Sequence, residues 1–509
     1  EYRRQRQMCI RDRTTVALGV IMVGIDGSVV AVANPYIGRD FNASLAQLQW
    51  VTNSYLLVIA VTLILGGKFG DRYGRRLMFQ IGVVGFALTS VAIGLVGDIG
   101  SVIALRGVQG FFGALLLPNT LALLKEAYPG DALNRAVGIW VSATATATAS
   151  GPILGGFMVE HLGWRSVFFI NLPLGILTFV VGLFTLVESK ESVLERFDIP
   201  GVITLAGGLS AITYGLIQAQ GWGWSSAMTW SFVVGGLVLL GVFVILEIRT
   251  AHPLVPMAMF RIRSVSISSV IVLLNFFSLF GVLFFVSLYL QSVHGFTPIQ
   301  AGFRLLPLTI TFAISGPIGS RMVERFGGWL PITAGLLVTA VAIFSLALLQ
   351  VDSPFLNLWP PFILIGFGIG LVVTAATDSI VGEVDDDEAG VAGGIQTTAI
   401  QFGGVLGTAI CGSILFSAVA SSLFGNLTAR GVPEDLARRV AAKSNEVAQG
   451  LVPVEPGTSR AIVKAITDAS HQAFMSGLHA TMIVGGVVCL VGAALGLAMR
   501  GVPKPDPQN

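Results

Sequence analysis

Four ionisable residues fall inside long apolar stretches: Asp26, Arg106, Arg304 and Asp378. A charge at the centre of a bilayer costs roughly 2.5–3.5 kcal/mol on insertion scales, so a residue kept there faces a polar interior and has a partner or a task. A lone carboxylate in a low-dielectric interior can take up and release a proton near neutral pH. In a water-filled vestibule the same group attracts cations. If a proton and a cationic small molecule compete for one acid, binding of either expels the other. Asp26, about a dozen residues from each end of its stretch, is the first candidate for this chemistry. Asp378, near one end of its stretch, is the second, with a static ion pair equally open to it. Arg106 is the third member of the set, followed one turn on by Gln109. Arg304 lies close enough to an end to snorkel, and Glu160 and Glu247 sit near ends on opposite sides.

A site for an apolar ligand needs aromatic walls and few polar groups. Asn53, Gln109, Asn119 and Asn275 are candidate polar lining, each equally suited to bridging two helices, as are Gln291, Gln396 and Gln401. Phe277, Phe280 and Phe284 share one helical face and either line a cavity or pack against lipid and neighbouring helices. Trp222, Trp224 and Trp230 read as an interfacial aromatic belt. No metal site or cofactor is expected. The cysteines (Cys9, Cys411, Cys489) and histidines (His161, His252, His294, His471, His479) are scattered, and Cys411 and Cys489 read as small packing residues. The acidic run Glu383, Asp385, Asp386, Asp387 and Glu388 reads as a solvated loop or helix start.

The elements that hold these residues are membrane helices. Of 509 residues, 54% are hydrophobic and 11% charged, against about 25% charged in soluble domains. Mean hydropathy is +0.81 and net charge +2, which exclude a soluble enzyme and a nucleic-acid partner. Fourteen stretches reach the length of a span: roughly 14–37, 48–66, 77–97, 101–124, 136–160, 166–187, 199–218, 229–248, 265–290, 299–320, 329–350, 357–381, 391–418 and 473–498. Lys68, Arg72, Arg75 and Arg76, then Lys125 with Arg135, Lys190 with Arg196, Arg249, Arg261 and Arg263, and Arg321 with Arg325 mark the cytoplasmic loops. The opposite short loops hold only Arg39 and Arg165. Both termini are then cytoplasmic. Residues 419–472 form an extracellular cap over the C-terminal spans, with short helices near 433–449 and 457–471. The expected organisation is a non-native or disordered segment over 1–13, a six-helix bundle over 14–187, two linking spans over 188–264, a second six-helix bundle over 265–498 and a tail over 499–509. Residues 67–76 and 319–328 resemble each other, as the halves of a duplicated transporter do.

The motifs carry a family resemblance. Gly67-x-x-x-Asp71-Arg72-x-Gly74-Arg75-Arg76 resembles the loop signature of the major facilitator superfamily. Arg106, Gln109 and Gly110 resemble its fourth-span motif, with Phe112 where the family often has Gly. Ala147-x-x-x-Gly151-Pro152-x-x-Gly155-Gly156 resembles its antiporter signature, with Ala147 in place of the usual Gly. Asp26 to Pro35, and Gly163-Trp164-Arg165 with Phe168, Asn171, Pro173 and Gly175, are similar to stretches of the fourteen-span drug:proton antiporters, with Ala31 and Asn34 departing from the pattern. The resemblance is dense over the first 175 residues and looser at Ala376-Thr377-Asp378, Glu388-Ala389-Gly390 and Gly403-Gly404-x-x-Gly407.

It implies an all-α major facilitator fold in a bacterial plasma membrane, working as a monomer and exporting amphipathic, often cationic molecules in exchange for protons. Asp26, Arg106 and Asp378 would serve the proton or the substrate cation. Asp71 would face a helix N-terminus of the other half, and Arg72, Arg75 and Arg76 would pair with carboxylates to latch the cytoplasmic side. Gly151, Pro152, Gly155 and Gly156 would form a bendable, leak-tight packing face. A dedicated exporter of one metabolite, lipid or siderophore is the alternative. A membrane enzyme would need clustered catalytic residues, a primary pump would need a Gly-x-x-x-x-Gly-Lys-Ser/Thr loop, and a scaffold that had lost transport would not need Asp26, Asp71, Arg106 and Gly151-Pro152.

Overall fold

The computed structural model describes residues 2–128, 131–189, 197–384 and 389–500. Lys190, Arg196, Asp385, Asp386, Asp387 and Glu388 lie outside them, as does nearly all of the expected tail. Among the described residues, fourteen helices of 15 residues or more follow one another: α1 Tyr2–Phe41, α2 Leu45–Tyr73, α3 Arg75–Leu95, α4 Ile99–Ala127, α5 Asp131–Leu162, α6 Asn171–Thr185, α7 Ile199–Trp222, α8 Ala227–Arg249, α9 Arg263–Leu288, α10 Pro298–Phe326, α11 Trp329–Leu346, α12 Trp359–Val381, α13 Ala389–Ala429 and α14 Arg460–Ala498. Among the described residues, thirteen helices are long and apolar enough to cross a membrane; α5 stands at the remaining expected position.

Helix starts follow local chemistry. Ser44 with Gln47 and Thr297 with Gln300 form reciprocal capping boxes on α2 and α10, and Asp98, Asp198, Ser226 and Ser459 accept first-turn amides on α4, α7, α8 and α14. Helices α1–α6 pack as one bundle and α9–α14 as another. Between them in sequence, α7 packs against both α2 and α13, while α8 packs on α7 and exposes Val234, Leu237, Val238, Val244, Ile245 and Ile248. An apolar face of that size suits a surface that meets lipid or another protein.

The expected cap over 419–472 is shorter and differently built: α13 runs on to Ala429. The stretch 457–471 is no separate helix: α14 starts at Ser459's cap and runs unbroken into the last span, because no breaker lies between Arg460 and Ala498. The cap also reaches beyond the C-terminal spans. Its helices, Glu434–Ala441 and Ser444–Val447, lead to Gln449, which is 5% exposed and donates to Ala43 O at 2.9 Å in the turn between α1 and α2. Gly450, at φ +76°, turns the chain tightly against Ser292 at the end of α9. The cap therefore bridges the two bundles. This end is the cap face, and the end carrying Lys68, Arg72, Arg75 and Arg76 is the basic face.

Candidate functional site

A polar node lies in the interior of the first bundle. Asp26 on α1 and Arg106 on α4 are each 1% exposed, and Arg106 Nη1 lies 2.5 Å from Asp26 Oδ2. Asp26 Oδ1 accepts from Gln109 Nε2 at 2.9 Å and from Asn171 Nδ2 at 3.0 Å. Arg106 also donates to Gln109 Oε1 at 2.7 Å and to Val51 O on α2 at 3.2 Å, and its guanidinium lies 4.1 Å from the centre of the Tyr55 ring. Asn171 reaches on to Ser90 Oγ on α3, which donates to Phe168 O. Five helices thus converge on one carboxylate that faces three donor groups. A buried pair like this is stable only when every remaining donor and acceptor finds a partner. Asp26 is thus closed in by Arg106, Gln109 and Asn171 inside the first bundle.

Asp378 is placed differently. It is exposed near the basic end of α12, with no side-chain hydrogen bond or ion pair among the described residues. Its neighbour Thr377 accepts from Gln396 of α13 at 2.5 Å. Arg304 stacks 3.7 Å from the centre of the Phe296 ring at the cap face.

The motif face of α5 begins one turn from the node. A Cβ on Gly151 would collide with Ser28 Oγ, and one on Gly155 would lie 3.3 Å from Val29 Cα, so α5 packs directly on the turn of α1 after Asp26. On the far side of α5, a Cβ on Gly156 would lie 2.5 Å from Pro298 O, and one on Gly302 would collide with Pro152 O. Glu160 Oε2 accepts the Ile299 amide at 3.2 Å. These contacts join the bundles near the cap face. Ser287 Oγ of α9 adds a bond to Ala31 O at 2.9 Å.

In the loop motif, Gly74 takes φ +114°, a left-handed-side conformation that glycine tolerates. This turns α2 into α3 and brings the α3 amides onto Glu188: Oε1 accepts Arg76 N at 3.0 Å and Oε2 accepts Leu77 N at 3.1 Å. Gly67 faces Pro118. Among the described residues Asp71 is held by Arg75 in its own loop, at 2.8 Å, rather than by a helix of the other half; Arg75 also reaches Glu126 at 3.3 Å. Arg76 donates to Leu183 O, and Arg72 lies 5.1 Å from the centre of the Phe197 ring.

The polar lining candidates divide. Gln109 belongs to the node. Asn119 bridges α4 to Gly66 O of α2. Asn53 accepts from Thr408 of α13 at 2.6 Å, and Gln49, one turn earlier, donates to Thr408 O and accepts from Gln220 of α7 at 2.5 Å, so this seam ties both bundles to α7. Asn275 is fully buried with neither amide atom partnered. Phe277 and Phe284 are each 5% exposed, and Phe280 is half-buried against Gly404. Cys411 packs beside Gly281, and Cys489 contacts Ser278. Asn171 was visible within its motif as a residue of the turn into α6. Ser90, Tyr55 and Gln49 left no sequence signal, being ordinary residues until the helices pack.

Two helical bundles joined by close helix contacts, with an ion pair sealed inside one of them, define a polytopic carrier. The chain belongs to the major facilitator superfamily, whose family model matches residues 16–408. It is 41% identical over 494 residues to a tetracenomycin C resistance and export protein of Streptomyces glaucescens, covering 96% of this chain and 91% of that protein. It is 30% identical to the multidrug efflux pump LfrA of Mycolicibacterium smegmatis, covering 95% of each. Its fold matches, with TM-score 0.62, 17% identity and coverage of 97% and 98%, the crystal structure of a bacterial homologue of the human lysosomal transporter Spinster in an inward-facing, occupied conformation. The chain is a multi-pass bacterial inner-membrane protein of a transporter family that handles small molecules.

Proposed function

We propose that this protein is a proton-coupled antiporter that exports amphipathic, often cationic small molecules, with α5 as the fourteenth span and both termini on the cytoplasmic side. The observation that carries the reading is the Asp26–Arg106 contact, buried one helical turn from the Gly151 face of α5. A proton can reach Asp26 only when Arg106 gives up the carboxylate. A movement that draws α4 from α1 would therefore load the proton, and return of Arg106 would discharge it. Because Asp26 is fully buried and held by Arg106, Gln109 and Asn171, substrate and proton would compete through helix position rather than through one shared carboxylate. One proton crossing 100 mV releases about 2.3 kcal/mol, a roughly fifty-fold gradient of a neutral substrate, so ATP is not required. The protein would work as a monomer. The names of its relatives, an export protein for one antibiotic and a multidrug pump, support export of compounds of this kind.

The test uses reconstituted vesicles with an imposed pH gradient, following lumenal pH while a lipophilic cation is added. Substrate-dependent proton flux in the wild type, lost in Asp26→Asn, supports the reading. Flux that survives Asp26→Asn but not Asp378→Asn would move the coupling role to α12. No flux with any cation, but uncoupled or gradient-driven movement of one neutral metabolite, would favour a dedicated exporter.

A further inference from the structure

Asp198 and Glu247 sit side by side at the basic end of α7 and α8. Asp198 is 6% exposed, and its Oδ1 accepts the Gly201 amide at 2.8 Å. Glu247, in the last turns of α8 and 2% exposed, accepts the Val255 amide on Oε2 at 2.9 Å. Each has one oxygen left over: Asp198 Oδ2 and Glu247 Oε1 are buried and have no hydrogen-bond donor. Both leftover oxygens converge above Gly201, where a Cβ would lie 2.6 Å from the first and 2.5 Å from the second. The two carboxyl groups therefore face each other across that point, with no donor between them.

Neither carboxyl has an ion pair among the described residues. Among the described residues, the charged groups on the surrounding elements are engaged elsewhere or turned outward. On α2, Lys68 donates to Pro253 O at 3.0 Å, Arg72 lies over the Phe197 ring, and Asp71 holds Arg75. Arg249 and His252 at the end of α8, and Arg261 and Arg263 on the segment that follows, are exposed. The stretch of α13 from Gly390 to Ala429 carries no Asp, Glu, Lys, Arg or His. Two facing carboxylates without a cation cannot both ionise, whereas one proton placed between Oδ2 and Oε1 satisfies both leftover oxygens at once.

We propose that Asp198 and Glu247 form a proton-binding site that holds one proton between the two carboxyl groups and fastens the basic ends of α7 and α8 to each other and to the segment at Leu254 and Val255. Loss of the proton sets two like charges together in a buried space and loosens that fastening. Pro253 and Phe197, the neighbours of this site, are the residues that Lys68 and Arg72 of the loop motif hold, so the site senses pH on the basic face and passes the change to the turn between α2 and α3. It is separate from the Asp26 node and stands on the packing of α7 and α8 alone, whatever the chain carries.

Infrared difference spectroscopy of the reconstituted full-length protein tests this without a transport assay. A protonated carboxylic acid gives a carbonyl stretch separate from the carboxylate bands. The wild type is expected to show such a band at neutral pH that disappears on alkalinisation, persists in Asp26→Asn, and is absent from Glu247→Gln and from Asp198→Asn. Glu247→Gln keeps an acceptor for the Val255 amide and offers an N–H toward Asp198, so the fold should hold; if it does not, Asp198→Asn carries the comparison. The proposal is overturned by a wild type lacking the band at neutral pH, by a band indifferent to both substitutions, or by one that vanishes in Asp26→Asn.

Discussion

Asp26 Oδ2 lies 2.5 Å from Arg106 Nη1, with both side chains closed off from solvent inside the first bundle. Removing one partner of a buried pair leaves the other charge without compensation and costs about 3–5 kcal/mol. Asp26→Asn and Arg106→Gln are each expected to lower thermal stability in detergent by that order, and the double variant by much less than the sum. Unfolding midpoints of the four proteins check this. Additive losses would mean that the two groups act independently.

Gly151 faces Ser28 so closely that Gly151→Ala forces α5 off α1. Overpacking of this kind costs about 1–3 kcal/mol. Transport by Gly151→Ala is expected to fall several-fold with normal membrane insertion, and Ser28→Gly, which removes both clashing atoms, is expected to restore it. Drug-resistance growth assays with surface expression as control read the outcome. Failure of Ser28→Gly to rescue would place the clash elsewhere.

Gln449 ties the cap to the turn between the first two helices. Truncating it to Ala removes a buried hydrogen bond worth about 0.5–1.5 kcal/mol. In a background lacking Cys9, Cys411 and Cys489, a cysteine at Ala43 is expected to react several-fold faster with an impermeant thiol reagent once Gln449 is Ala. Equal rates would show that the cap does not cover this turn in the membrane.

His294 lies between α9 and α10, stacked on Phe296 with Nε2 2.9 Å from Tyr289 Oη. Burial, and then the charge of Arg304, hold it below its ordinary value near 6.5. A group whose folded value is depressed contributes stability that is present above 6.5 and is lost as pH falls through the folded value. Acidifying the medium is therefore expected to lower the unfolding midpoint, and His294→Gln to remove that part of the dependence. An identical pH profile in the variant would assign the effect to other groups.

Much of this architecture is legible in residue order. Apolar length marks the spans, whereas the exact helix starts at the caps Ser44, Asp98 and Thr297 emerge only in the structure. Asp26 and Arg106 stand out because charges are rare in such stretches. Their pairing is invisible in sequence, since 80 positions separate them and only the packing of α1 on α4 brings them together. Tyr55, Ser90 and Gln49 are unremarkable by type and acquire roles from what faces them. Glu247 reads only as a charge near a span end and Asp198 leaves no signal, because the sequence does not say that Gly201 leaves room for both carboxyls to turn inward.

The contact between α5 and α10 sets glycine against proline in both directions, Gly156 on Pro298 and Gly302 on Pro152. Backbone meets backbone there, so no side-chain rotamers need re-sorting when one helix slides past the other. The same property makes the seam intolerant of change: any added methyl group wedges the helices apart, and no neighbouring side chain can be trimmed in compensation. Substitution is therefore expected to be tolerated where side chains can be exchanged one at a time, as on the phenylalanine face of α9, and not along this backbone seam.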